Sequence, residues 1–335
     1  MKRIWRGNFD CEYRMQAQDR PLTRSRTLAL VNARFASRLL PLTAAGDMLW
    51  VPEWPHLSIE EQQDLSALCQ KQQVQLETAS TAREIPGAGW RLEPWGWNNE
   101  MRELATLKGW EIHAPSQRLV AWTNSRRTSA QYELEYDIGP PGLGVCTSAD
   151  ELQQILRSCT PNVKWVLKAE FGMSGRERIM GTGSDLSAQQ VAWTESRFAA
   201  GHALVWEPWL ASVGEMSFHY ELSQAGEVRF CGVTDLFSDA RGQYLRNDAI
   251  PVAQWNELRK LWPQSWKVTG EFASSAAQSG YFGPLSIDSM RYADPAGCIH
   301  ERPLQDVNAR WTMGRCILEQ FLKSDDSTAG SSIDE

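Results

Sequence analysis

The chain of 335 residues lacks any apolar run approaching the ~18 residues of a membrane span, so no transmembrane helix is expected. Its N-terminus carries charge but no apolar core, which argues against a signal peptide. Seven cysteines (Cys11, Cys69, Cys146, Cys159, Cys231, Cys298 and Cys316) are scattered, odd in number and without a CxxC pair. That spacing excludes neither a thiol role nor burial, but it argues against a disulfide framework and a structural zinc site. Most read as small buried hydrophobes in a reducing cytoplasm. Excess positive charge is also missing. Lys and Arg total 34 against 41 Asp and Glu, a net charge of −7, so the whole molecule offers no footprint for nucleic acid. No internal repeat is visible.

What is present fits a globular protein of two or three domains, with 42% hydrophobic and 22% charged residues. The charge is uneven. Residues 1–40 hold nine Lys and Arg (Lys2, Arg3, Arg6, Arg14, Arg20, Arg24, Arg26, Arg34, Arg38) against three acids. Such a run forms a solvated surface or receives an anionic partner. Sixteen tryptophans are unusual. Trp90, Trp95 and Trp97 gather around Pro94 and Gly96, and Trp206 and Trp209 flank Glu207-Pro208. Each is either core filler or a flat surface for stacking.

Along the chain, Leu28–Val31 and Met48–Val51 read as short buried strands. Residues 58–76 read as a helix with a capping box from Ser58 to Glu61, and residues 93–107 as a turn and a helix capped by Asn98 or Asn99. After a breaker cluster at 137–144 come a helix at 148–159, a strand at 165–168, a glycine-punctuated hairpin at 171–183, a helix at 187–201 and a strand at 203–206. Alternating runs at 216–221 and 227–233 read as antiparallel strands. Residues 252–279 read as helical with an interruption at Pro263, and 312–322 as a last helix. The tail 324–335 has the composition of a disordered segment.

The chemistry gathers in five places. Lys168 ends a strand and is followed by a small-residue loop containing Ser174 and Gly175. A lysine is a point charge suited to phosphate, and glycine lets backbone N–H groups approach it. The loop follows neither the GxxxxGK[ST] nor the GxGxxG pattern, and an ordinary hairpin has the same composition. Next, 203–210 runs from a strand into a proline-marked linker with Glu207, Trp209 and Leu210, and Glu215 follows. Such a linker offers backbone groups to a base edge, and a carboxylate beyond it can hold hydroxyls. Finally Asp288 stands in one apolar run, and Asp306 and Asn308 stand two apart in a second. Residues i and i+2 of a strand share a face, so three oxygen-bearing side chains can meet a hard cation. Arg310 falls on the same face if the strand continues. A hairpin with a solvated polar face fits the same spacing.

In this order the elements resemble the ATP-grasp superfamily over residues 116–322. The most specific part is Asp306-Val307-Asn308-Ala309-Arg310, which departs from the family's usual Glu at its first position. The resemblance implies an α/β (α+β) fold: a small open α/β pre-ATP-grasp domain at 1–115, then a two-lobed ATP-grasp domain with antiparallel sheets. Its linker and small nucleotide-binding lobe would occupy 116–205, its C-terminal lobe with the metal site 206–323, and a disordered tail 324–335. The implied cofactors are ATP and Mg²⁺ (or Mn²⁺). Lys168, with Ser174 and Gly175, would meet the phosphates, Glu207, Trp209 and Leu210 the adenine, and Glu215 the ribose. Asp288, Asp306 and Asn308 would hold the metal, and Arg310 would stabilise the transferring phosphoryl group. A further early cation is expected in 120–127, with Arg126 favoured over Arg127. An arginine that some members carry two residues before the first metal ligand is Ser286 here, leaving Arg176, Arg241 or Arg246 as substitutes. The implied activity is ADP-forming ligation of small-molecule carboxylate and amine substrates through an acylphosphate, without nucleic-acid or membrane partners. A small-molecule kinase or a non-catalytic ATP-binding protein shares the same nucleotide site.

Overall fold

The computed structural model describes residues 1–17, 24–159, 162–172 and 177–329. The chain forms two compact units, Met1–Val120 with Arg310–Glu335, and Ala121–Ala309.

The first unit is built on strands β1 (Lys2–Arg6), β2 (Met48–Trp50), β3 (Gln75–Glu77) and β4 (Trp90–Pro94), with helices α1 (Cys11–Gln16), α2 (Arg26–Phe35), α3 (Ile59–Lys71) and α4 (Asn99–Lys108). Its sheet runs β3-β2-β1-β4, all parallel. A parallel sheet needs apolar cover on both faces. Alternation supplies it: Trp5, Leu49 and Val51 enter one core, Ile4, Met48 and Trp50 the other. The tryptophans of this unit serve as core. Trp5, Trp54, Trp95 and Trp311 fill the first cluster, Trp50, Trp90, Trp97 and Trp110 the second. Asp47 ties β1 to β2, accepting from the Trp5 indole N–H at 2.9 Å and from Arg3 Nε at 3.0 Å. Most of the basic N-terminus is spent on internal pairs: Arg3 with Asp47, Arg6 with Glu53, Arg14 with Glu100, Arg24 with Asp10 and Arg34 with Glu61. Arg20 lies outside the described residues.

The second unit opens within α5 (Gln117–Asn124) and continues through α6 (Arg126–Glu135), β5 (Gly144–Cys146), α7 (Ala149–Ser158), β6 (Lys164–Ala169), β7 (Arg178–Thr182), α8 (Ala188–Ala199) and β8 (Leu204–Pro208). There follow β9 (Ala211–Leu222), β10 (Val228–Ser238), β11 (Tyr244–Ala249), α9 (Trp255–Leu261), α10 (Pro263–Gln278), β12 (Gly283–Ala293) and β13 (Ile299–Asn308). A small antiparallel sheet has the order β5-β8-β6-β7, and a larger one β11-β10-β9-β12-β13. Leu152 and Leu156 of α7 pack on Trp165, Leu167 and Trp206 of the small sheet. The larger sheet packs against α10, with Phe218 edge-on to Trp266 and the Tyr220 hydroxyl 2.8 Å from that of Thr269. The final helix, α11 (Met313–Ala329), returns to the first unit and places Cys316 in its core.

Four sequence expectations change. Residues 28–31 are helical, inside α2, because Ser25 caps that helix by accepting the Leu28 N–H. The helix expected to reach 76 ends at Lys71, and Gln75–Glu77 is a strand. Residues 310–323, expected in the metal-bearing lobe, group with the first unit. Of the tail expected to be disordered, 324–329 are helical, and 330–335 lie outside the described residues.

Candidate functional site

Strand alternation gives the larger sheet one apolar and one polar face. Met216, Phe218 and Tyr220 of β9 share the face packed on α10, while Glu215, Ser217 and His219 occupy the other. Asp288 pairs with Ser217 on one side and Asp306 on the other, and Ser286 with His219 and Asn308. Asp288 Oδ1 accepts from Ser217 Oγ at 2.5 Å and Oδ2 from Asn308 Nδ2 at 3.2 Å. Fully buried His219 lies 2.8 Å from Ser286 Oγ and 3.0 Å from Thr234 Oγ1, which also accepts from Asn247 Nδ2 at 3.1 Å. Each member of this buried row has partners, so the row holds one arrangement of the carboxylates.

Arg126 joins this face to the small sheet. It opens α6 behind the cap residue Ser125, whose Oγ donates to Glu170 Oε1 at 2.6 Å. The Arg126 guanidinium donates to the carbonyls of Ala169 (3.2 Å) and Gly172 (2.9 Å) and to Asp306 Oδ2 (3.2 Å). Neighbouring Arg127 is exposed. Beyond Asn308, the Ala309 N–H donates to Asn124 Oδ1 at 2.8 Å.

A second group is ionic and buried. Lys168 Nζ lies 2.7 Å from Glu207 Oε2, and Arg302 reaches Glu207 Oε1 and Oε2, both at 2.9 Å. Arg302 also clasps Glu133 with two bonds of 3.0 and 2.9 Å. Burial pushes the Glu207 carboxyl up, but Arg302 and Lys168 outweigh it and hold it at about 2. Burial pulls Lys168 below the usual lysine range against the attraction of Glu207. For Glu133 burial outweighs Arg302 and raises its pKa. Burial opposes the charge of Arg302, and the two carboxylates more than restore it.

Other residues named from the sequence are placed as follows. Ser174, Gly175 and Arg176 lie outside the described residues. Glu215 accepts from Ser238 Oγ at 2.7 Å. The Trp209 N–H, expected to be exposed on a linker, extends the β6–β8 pairing by donating to the Lys164 carbonyl at 2.8 Å. The Leu210 carbonyl accepts from Ser212 N at 3.1 Å. Arg178 lies over the Trp209 ring, 5.9 Å from its centroid. Arg246 stacks on Phe237 at 3.9 Å and pairs with Asp248 at 3.2 Å, and Arg241 is exposed in the β10–β11 turn. The expectation that Arg310 continues the strand is corrected. β13 ends at Asn308, and Arg310 belongs to the first unit, where its Nε donates to Glu12 Oε1 at 2.9 Å over the Trp95 ring.

Sequence reasoning missed Glu133, Arg302, Ser217 and His219. The last two had a signal, since polar residues alternate with Met216, Phe218 and Tyr220. Arg302 had a weaker one, Pro303 inside a strand. Asp288 pairs with Asp306 but Met290 with Arg302, so two steps along β12 match four along β13. This bulge re-aims the strand, and a proline belongs there because it cannot supply a ladder N–H.

The donor set fits Mg²⁺ in part-coordination. Among the described residues no group of three or more His, Cys, Asp or Glu forms a metal cage. Two opposed carboxylates and an amide suit a cation that keeps waters and takes further oxygens from a phosphate. Asn308 donates its amide nitrogen to Asp288 Oδ2 at 3.2 Å, so its amide oxygen is the atom that would serve as a ligand.

No protein-family model matches the chain, and no curated protein matches it in sequence. Solved structures do resemble it. The biotin carboxylase domain of 2-oxoglutarate carboxylase from Hydrogenobacter thermophilus, in complex with MgADP, ADP and bicarbonate, superposes with a TM-score of 0.57 at 15% identity, covering 95% of this chain and 66% of that one. Biotin carboxylase from Campylobacter jejuni, in its βγ-ATP complex, gives 0.55 at 13% identity over 95% of this chain and 67% of that one. N5-carboxyaminoimidazole ribonucleotide synthetase from Thermus thermophilus gives 0.51 at 14% identity over 94% and 72%. At these identities the likeness is one of fold, and the chain spans about two thirds of the length of the two biotin carboxylase structures.

Proposed function

We propose, starting from the ATP-grasp fold that this chain adopts, that it is an ATP- and Mg²⁺-dependent ligase. It would activate a small-molecule carboxylate as an acylphosphate, join it to an amine or other nucleophile, and release ADP and phosphate. The observation that carries this reading is the cross-strand pair Asp288–Asp306, with Asn308 beside it and Arg126 on Asp306. Two of the fold neighbours are solved with MgADP and with βγ-ATP.

Little covalent chemistry falls to the protein in such a transfer, and its work is positioning and charge neutralisation. Lys168 would bind the α- and β-phosphates. The adenine would lie along the linker at 207–210, using groups other than the Trp209 N–H, which β6 already holds, and Glu215 would meet the ribose hydroxyls. Asp288, Asp306 and Asn308 would hold Mg²⁺, which would supply positive charge to neutralise the phosphate. Arg126 spans Asp306 and the carbonyls of Ala169 and Gly172 at the end of β6, so it would orient that carboxylate and meet the γ-phosphate side.

The test is ADP formation from ATP and Mg²⁺ across paired carboxylates and amines. Asp306→Ala and Asn308→Ala are expected to lower turnover by about 100-fold or more. Normal rates from both would remove the metal assignment. A stable phosphorylated product formed without an amine would make the protein a kinase instead.

A further inference from the structure

Lys168 has a charge problem that the proposed nucleotide site alone does not explain. Its ammonium is 2.7 Å from Glu207, and a second buried carboxylate, Glu133, belongs to the same cluster. One lysine against two carboxylates would leave a local charge of −1 beneath a site meant for a polyphosphate. Arg302 reverses this. It donates to both oxygens of Glu133 and reaches both oxygens of Glu207, and its side chain is almost wholly buried. With Arg302 in place the four charges cancel, and part of the Glu207 charge is drawn away from Lys168. The β13 bulge at Pro303 is what delivers Arg302 to this position.

We propose that Arg302, held by Glu133, is a positioning residue that sets the charge at Lys168 and so keeps the lysine available to nucleotide phosphate. This rests on the reading of Lys168 as a phosphate contact. Arg302 need not touch nucleotide; it acts through Glu207. Low-dielectric surroundings magnify the effect, because a charge left uncompensated there is poorly screened.

A clamp that served only packing would respond to the shape of its replacement. A charge-setting clamp responds to the sum of charges. Three variants separate the two. Arg302→Met leaves Lys168 with two carboxylates. Glu133→Gln leaves two cations with one carboxylate. The double variant leaves the neutral Lys168–Glu207 pair.

The experiment is calorimetric titration of the full chain with MgADP, for the wild type and the three variants, each first checked for a cooperative unfolding transition. The expected order is Glu133→Gln equal to or tighter than wild type, the double variant within about threefold of it, and Arg302→Met weaker by roughly tenfold or more. If Arg302→Met does not fold, Glu133→Gln and the double variant still carry the test, and near-wild-type affinity in the double variant, with no loss in Glu133→Gln, supports the proposal. Equal affinity in wild type and Arg302→Met, loss of affinity in Glu133→Gln, or a double variant as weak as Arg302→Met each overturns it. Failure of the wild type to bind MgADP would instead remove the nucleotide reading, and this proposal with it, so the two failures are told apart.

Discussion

The carboxylate of Glu207 meets two cations away from water, and its stability contribution has a defined pH window. Its folded pKa of about 2 lies below the ordinary glutamate value of 4.5. A carboxyl depressed in this way contributes stability that is fully present above its unfolded pKa and is lost as pH falls through the folded one. The contribution of Glu207 is therefore expected to disappear between about pH 4.5 and pH 2. Denaturant unfolding of wild type and Glu207→Gln should differ by on the order of 3 kcal/mol at pH 7, and the gap should narrow steadily below pH 4.5. A gap independent of pH would contradict the ion-pair account. At this scale the sequence was legible wherever partners stand close along the chain or share a strand face. Asp306 and Asn308 could be read together because residues two apart in a strand point the same way. Glu133 and Arg302 could not, because 169 positions separate them and the bulge that joins them is invisible without the pairing register.

Elements carry a different lesson, shown by the hairpin of β6 and β7. Trp165 is fully buried and lies across Gly181, its partner on β7, with its indole N–H donating to the Gly183 carbonyl at 2.8 Å. A Cβ at Gly181 would stand 2.1 Å from the Trp165 ring. Gly181→Ala must push that ring off its place in the α7 core and is expected to cost roughly 1–3 kcal/mol. Chemical denaturation measures this, and an unchanged midpoint would show that the ring has room to move. Caps and breakers made most elements readable: Ser58 with Glu61, Asn98, Ser148, and Pro263 at the first position of α10. The apolar run Leu28–Val31 was misread because four such residues fit a strand or a helix equally, and the deciding cap, Ser25, lies three residues upstream. Trp209 was misjudged for a related reason, since whether its N–H is free depends on β6 and not on its own neighbours.

For the whole molecule, the order of motifs pointed to the fold, while the course of the chain did not follow from it. Nothing local to 310–323 says that the segment rejoins the first unit; Trp311, Met313 and Cys316 do so by packing on a core made mainly by residues 5–95. The basic N-terminus likewise looked like an excess of charge until its partners Asp47, Glu53, Glu61 and Glu100, all beyond residue 40, were found. No helix among the described residues is long and apolar enough to cross a membrane. The central claim concerns the second unit: that its polar sheet face and Lys168 receive a nucleotide through a metal held by Asp288, Asp306 and Asn308. The most direct test is thermal unfolding of the full chain with millimolar ADP, with and without Mg²⁺, beside Asp306→Ala. A ligand that binds the native state raises the melting temperature by mass action. The account predicts a rise with ADP and Mg²⁺ together, a much smaller one with ADP alone, and none in Asp306→Ala. An unmoved transition with both present, or the same rise without metal, would contradict it.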